Sequence, residues 1–271
     1  MKALSSSHPV WFCDIWGVVH DGFKPFARTV AVLEHHRKAG GTVILVTNAP
    51  RPAAEIAKHL HSIGVSQQAY DAIVSSGDVT RSLMVAQGGG KLYHLGPAYD
   101  RSIFEGLAVE RVELESATSV LCTGLMEERH ENPQDYLPLL ENMKRRNLTM
   151  ICANPDKVVR KGEHLIYCAG ALAELYTNMD GRVLMAGKPY APIYELALGT
   201  AAKLRGHSIA KNQILAIGDG PETDIRGAVD FDLACVFITG GINSGENVSG
   251  EVARNFPTAR ILRSMVELDW T

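Results

Sequence analysis

Short runs of β-branched and other apolar residues alternate along the chain with longer stretches whose apolar positions recur at helical spacing. The run Val10 to Cys13 predicts a first strand. After a glycine-containing excursion, Phe26 to Lys38 places Val30 and Leu33 at helical spacing, and Gly40-Gly41 ends that helix. Val43 to Val46 then reads as a buried strand, Pro52 to Ile63 as a helix closed by Gly64, and Ile73 to Ser75 as a third strand. Asp78 is the expected N-cap of the helix that follows.

Around Gly88-Gly89-Gly90 the pattern loosens and a second series begins: KLYHLG, SVLCTG, a helix over Pro133 to Arg146, and LTMICANPD. Asn178 to Gly181 forms another turn cluster, followed by a strand at Val183 to Met185, a helix at Pro192 to Leu204 and a strand at Ile214 to Ile217. Strands alternating with helices predict an α/β fold with a parallel sheet. The outer stretches, 1–77 and 178–271, are expected to share one sheet as a core, with 78–177 forming an inserted α/β domain.

Composition narrows the classes. A chain of 271 residues is long enough for one large and one small domain. Its net charge of -3, with 46% hydrophobic and 21% charged residues, is ordinary for a globular protein and offers no basic stripe for nucleic acid. Lys144-Arg145-Arg146 ends a predicted helix, where cations complement the dipole. No apolar run approaches the roughly 18 residues of a membrane span. The five cysteines lack CxxC spacing, and Cys13, Cys122, Cys152 and Cys235 fall in apolar runs. That pattern predicts reduced, buried thiols and a cytoplasmic protein without nucleic-acid or membrane partners.

Ligands of open parallel sheets gather beyond the carboxyl ends of the strands. There the sequence places Asp14 after the first strand, Thr47-Asn48 after the second, and Gly218-Asp219 after a late one, with Thr223-Asp224 just beyond. Gly187-Lys188-Pro189 stands before the helix at Pro192. Three carboxylates brought to one point repel and resist desolvation, and a hard divalent cation with oxygen ligands relieves both. Mg²⁺ commonly takes one or two carboxylates and keeps positions for water and a substrate phosphate. Lysine adds a point charge for that phosphate or for an attacking carboxylate, while Thr47 and backbone N–H groups add donors.

The segments DIWGVVHDG, VTNAP, GKP and GDGPETDI, in this order and spacing, resemble the four motifs of the haloacid dehalogenase superfamily. Within the insertion, ANPD (Ala153 to Asp156) and CAGALAELY (Cys168 to Tyr176) resemble its type IIA subfamily, which includes p-nitrophenyl and nucleotide phosphatases. The resemblance implies a Rossmann-like core with a large α/β cap. It implies that Asp14 attacks phosphorus, Thr47 holds phosphoryl oxygens, Asn48 holds substrate near the leaving group, and Lys188 neutralises Asp14 and the phosphate. Asp14, Asp219, Asp224 and the backbone carbonyl of Trp16 would bind Mg²⁺. Cys168 and Gly170 of the cap, together with Trp16, would line the substrate pocket, and the cap can take part in a homodimer.

Trp16 departs from the family pattern, in which a second aspartate usually occupies this position and exchanges protons with the leaving group and water. Indole donates a hydrogen bond but exchanges no proton at neutral pH. Three readings follow: a phosphohydrolase restricted to leaving groups that need little protonation, an enzyme whose Asp14 attacks something other than an ordinary phosphate ester, and a binding or regulatory protein that retains the phosphate site. His20, four residues on, is a candidate substitute donor because of its intrinsic pKa. Gly88-Gly89-Gly90-Lys91 lacks the first glycine and the Ser or Thr of a phosphate loop and reads as a connection.

Overall fold

A computed structural model describes residues 1–87, 90–161, 164–241 and 248–271. Gly88 and Gly89 of the connection lie outside the described residues. The strands, in chain order, begin with β1 (Val10–Cys13), β2 (Thr42–Thr47) and β3 (Ala72–Ser75). They continue as β4 (Lys91–Leu95), β5 (Glu110–Arg111), β6 (Ser119–Cys122), β7 (Thr149–Cys152), β8 (Val158–Lys161), β9 (His164–Tyr167) and β10 (Val183–Met185). The series closes with β11 (Ile214–Gly218), β12 (Ala234–Ile238) and β13 (Arg260–Met265). Among the described residues no helix is long and apolar enough to cross a membrane.

The chain divides into two compact units. The first comprises Met1–Thr47, Ala54–Val74 and Lys188–Thr271, and the second Asn48–Ala53 and Ser75–Gly187. In the first, six strands lie in the order β13-β12-β11-β1-β2-β3, and the pairings from β13 through β2 are parallel. Every residue of β1, β2, β11 and β12 is buried, as expected of apolar runs covered on both faces. Fully burying one such side chain contributes about 1.5–3 kcal/mol. Cys13 pairs in register with Leu45 of β2 and Ile217 of β11, so the residue after it sits at the carboxyl edge between two strand ends. All five cysteines are buried free thiols.

The second unit holds a fully parallel sheet in the order β10-β7-β6-β4-β5 and an antiparallel pair, β8 with β9. Val120, Cys122, Leu140, Met143, Met150, Cys152, Leu172 and Tyr176 form its main core. One expectation is corrected here. Val183 to Met185, assigned from sequence to the 178–271 part of the core, pairs instead with β7 as the edge strand of the second sheet. The three residues VLM suit either sheet equally, and helix Ala169–Asn178, packed on β6 and β7, returns the chain to the open edge of β7. Asp78 is also not an N-cap. Ser75 caps the helix, accepting from the Asp78 N–H at 3.0 Å while Asp78 accepts from the Ser75 N–H at 3.3 Å, a reciprocal capping box.

The basic cluster has structural work. Lys144 donates to the Asp180 carbonyl, and Arg146 to the carbonyls of Leu114, Glu115 and Ala117, tying a helix end to neighbouring turns.

Candidate active site

Asp14 follows β1 and is positioned by backbone pairing before its side chain does anything. Its N–H donates to the Ile217 carbonyl at 2.8 Å, continuing the β1–β11 ladder by one residue. Thr47 ends β2, Gly218 ends β11, and Asp219 follows at once. Parallel strands in register therefore bring Asp14, Thr47 and Asp219 to one edge.

Lys188 closes the set. Its Nζ donates to Asp14 Oδ1 at 2.6 Å and to Asp224 Oδ1 at 2.7 Å, and only 4% of the side chain is exposed. Asp224 is held by its own turn, where Oδ2 accepts from the Gly220 N–H at 3.0 Å and its N–H donates to the Gly220 carbonyl at 2.8 Å. The turn opens a helix in residues 221–230, so its carboxylate also lies at the positive end of the dipole. Asp219 is enclosed by backbone. A Cβ on Gly17, which has φ +82°, would come within 2.3 Å of its carboxylate, so no other residue fits there.

One oxygen each of Asp14, Asp219 and Asp224 lies within 4.8 Å of the others, and all three residues are buried. Burial pushes the Asp14 carboxyl well above the usual carboxylate range, with the Lys188 ammonium opposing and the neighbouring carboxylates adding to the rise. Burial alone would push Lys188 down, yet Asp14 and Asp224 hold it charged, well above an ordinary lysine. Three carboxylates and one ammonium carry a formal charge of two minus between them. Oxygen donors and this charge fit a hard divalent cation such as Mg²⁺, and they do not fit a soft, thiolate-seeking metal.

Trp16 is half-buried and fixed by a turn. Its ring meets His20 edge to face with centroids 5.4 Å apart, and Gly22, at φ +96°, leaves the space that a Cβ would take only 2.6 Å from the indole. His20 is 3% exposed and packs in turn on His59 with centroids 5.7 Å apart. Its Nδ1 accepts from the Gly22 N–H at 2.8 Å, which places the proton of the neutral ring on Nε2. Burial lowers its pKa to about 4, with His59 adding to the effect. At neutral pH this imidazole carries no acidic proton to give, and the expectation of a substitute donor loses its chemical basis.

The remaining expected residues lie in the second unit. Asn48 Nδ2 donates to Asp156 Oδ1 at 3.0 Å, which links the residue after Thr47 to the ANPD turn. Gly170 donates its N–H to the Asp156 carbonyl at 3.1 Å and has no room for a Cβ against the Pro155 carbonyl. Cys168 is 7% exposed, and its N–H donates to the Lys157 carbonyl at 2.9 Å. These residues pack one loop cluster.

Sequence reasoning missed Tyr194. Buried on helix Ala191–Arg205 and stacked on Phe231 at 5.3 Å, it has its phenol pushed up by burial and by Asp224, with Lys188 opposing. A tyrosine on an apolar helix face gives no local signal; only the six-residue offset from Lys188 could have hinted at it.

The family described as haloacid dehalogenase-like hydrolase matches residues 11–110, and the one described as HAD-hydrolase-like matches residues 185–268. A crystal structure of a haloacid dehalogenase-like hydrolase from Brucella suis is 42% identical, covers 99% of this chain and 98% of its own, and superposes with a TM-score of 0.90. The D-glycerol 3-phosphate phosphatase of Mycobacterium tuberculosis is 28% identical over 262 residues, 90% of this chain, and the chain spans 66% of that relative's length. A glycerol phosphate phosphatase from the same organism in complex with magnesium has a TM-score of 0.69 at 23% identity, covering 90% of this chain and 71% of its own. With family matches over residues 11–110 and 185–268 and a relative at this identity covered almost end to end, the chain belongs to the haloacid dehalogenase-like hydrolase family.

Proposed function

We propose that the chain is a Mg²⁺-dependent phosphohydrolase that acts on a small phosphorylated metabolite through an aspartyl phosphate on Asp14. The observation that carries this reading is the shared ammonium: Lys188 binds Asp14 and Asp224 together, and Asp219 completes a buried carboxylate set at the sheet edge. Phosphatase activity in the named relatives supports the same reaction class.

Lys188 fixes Oδ1 of Asp14, which orients the carboxylate before substrate arrives. Asp14 attacks phosphorus, the bond from phosphorus to the leaving oxygen breaks, and that oxygen departs with the electron pair. Water then attacks the phosphorus of the aspartyl phosphate, which frees inorganic phosphate and restores the carboxylate. Thr47 offers its hydroxyl to the phosphoryl oxygens, and Asn48 is assigned to the substrate near its leaving group. Asp14, Asp219, Asp224 and the carbonyl of Trp16 would hold Mg²⁺, which when bound supplies positive charge for the phosphoryl oxygens.

Neither indole nor His20 supplies a proton. An alkyl leaving group then forgoes general acid catalysis worth roughly 10²- to 10⁴-fold, whereas aryl, acyl and anomeric leaving groups lose less. The test is turnover of phenyl phosphate with and without Mg²⁺, with Asp14→Asn as the blank. Mg²⁺-dependent release of phosphate that vanishes in the variant supports the reading, and turnover that persists in Asp14→Asn refutes it.

A further inference from the structure

Between Asp14 and the helix Ala27–Lys38 the chain makes a tight turn with His20 at its centre. The His20 backbone bridges to Trp16 on one side and to Pro25 on the other, so this residue holds both arms of the turn. Its carbonyl accepts from the Gly17 N–H at 2.9 Å, and its own N–H donates to the Ile15 carbonyl at 3.3 Å. The Phe26 N–H closes the turn on the Val19 carbonyl at 2.8 Å. The side chain adds a link of its own. Nδ1 accepts from the Gly22 N–H at 2.8 Å, the same i to i+2 bond that an asparagine or aspartate makes in an Asx turn. The ring meets both the Trp16 indole and the His59 ring edge to face.

This turn borders the carboxylate set directly. Gly17, bonded to the His20 carbonyl, lies so close to Asp219 that only a residue without a Cβ fits there. Trp16, just before it, carries the carbonyl assigned to Mg²⁺ in the phosphohydrolase reading. A backbone carbonyl has no rotamer of its own and points where the dihedrals of its turn send it. Holding that carbonyl therefore means holding the turn. His20 is the buried side chain that does so from inside, and its bond to Gly22 also fixes the residue against which the indole rests.

We propose that His20 is a positioning residue for Mg²⁺: as a neutral acceptor it fixes residues 16–22, and with them the Trp16 carbonyl and the Gly17 wall of Asp219, ahead of the metal. The inference rests on the phosphohydrolase reading and deepens it, giving a buried imidazole that moves no proton a part in the site. A ligand already held in its bound orientation spares the metal the cost of ordering it. Groups that orient a metal's ligands without touching the metal typically change its affinity by about 10- to 100-fold.

The experiment is calorimetric titration of the full chain with Mg²⁺ alone, with folding of each variant checked by its unfolding temperature in metal-free buffer. His20→Phe keeps a ring of similar volume but cannot accept from Gly22, whereas His20→Asn supplies an acceptor in Asx-turn geometry without the ring. His20→Phe is expected to weaken Mg²⁺ binding about tenfold or more, and His20→Asn about threefold or less. Unchanged affinity in a folded His20→Phe, or equal weakening in His20→Asn, would overturn the proposal while the phosphohydrolase reading stands. Amide hydrogen exchange in the unsubstituted protein gives a second measurement that needs no variant to fold. The Gly17 and Gly22 amides should exchange slowly without Mg²⁺ and no more slowly with it; fast exchange that Mg²⁺ suppresses would mean that the metal, not His20, orders the turn. If the parent protein binds no Mg²⁺, the phosphohydrolase reading falls and takes this one with it.

Discussion

The chain contains two parallel sheets whose strands end in polar residues, and the two edges are charged in opposite styles. The edge of the first unit gathers three buried carboxylates around one lysine, a set that only a further cation balances. The edge of the second unit joins donors to acceptors instead: Arg51 to Asp100, Tyr99 to Glu128 and Asn48 to Asp156, with His94 beside Thr123. Carboxylates crowded together store electrostatic cost that bound cation and phosphate relieve, whereas matched polar pairs arrange donors and acceptors at little charge. The first pattern suits chemistry at phosphorus, whereas the second ties the loops of the second unit together.

The largest expected effect breaks the first edge. Asp14→Asn should lower the rate of phosphate release by about 10⁴-fold or more, the scale on which losing a nucleophile acts. Next, Trp16→Asp should raise turnover of an alkyl phosphate by roughly 10²-fold or more while changing acyl phosphate little, if only the proton donor is lacking. Steady-state kinetics on both substrates would show it, and no gain with intact Mg²⁺ binding would indicate a pocket repurposed around the indole. Lys188→Met leaves Asp14 and Asp224 facing each other without their ammonium and should cost about 3–5 kcal/mol of stability, read from denaturant unfolding. Mg²⁺ should restore part of it, whereas Mg²⁺ should do little for a variant of the second edge such as Asp100→Asn.

The smallest effect separates the units by pH. His36, fully buried against Trp11 at 3.7 Å, has its pKa lowered by burial to about 4. The unfolded chain takes up this proton as pH falls through the ordinary histidine value, and the folded chain does so only near 4. Its contribution is therefore present above about pH 6.5 and lost on acidification, by at most about 3 kcal/mol. In the second unit His94, also lowered to about 4, loses stability over the same window, while Asp100, raised to about 6, gains it as pH falls toward the free carboxylate value. Thermal unfolding between pH 7 and 4.5 should flatten in His36→Phe and steepen in Asp100→Asn.

Much of the first edge is legible in the sequence because its placement is local. An apolar run followed by Asp14, Thr47 or Gly218-Asp219 needs only parallel pairing to bring those residues together, and Lys188 needs only the helix after it. The second edge is hidden because its partners come from loops far apart in the chain, as Arg51 and Asp100 do, and nothing in NAPRP or PAYDR names the other. The partner of Val183 to Met185 is hidden for a related reason: three apolar residues specify a strand, and the preceding helix decides which sheet receives it. His20 shows a third limit. Its residue type suggested a proton donor, and only its burial and the Gly22 N–H on Nδ1 reveal a neutral ring.

Trapping the covalent intermediate tests the central claim most directly. The protein would be mixed with phenyl phosphate and Mg²⁺, quenched in acid, digested, and its peptides analysed by mass spectrometry with and without hydroxylamine. The account predicts a hydroxylamine-labile phosphoryl group on the peptide containing Asp14, absent without Mg²⁺ and absent in Asp14→Asn. Phosphate release with no label on that peptide, or a label on another residue, would contradict it.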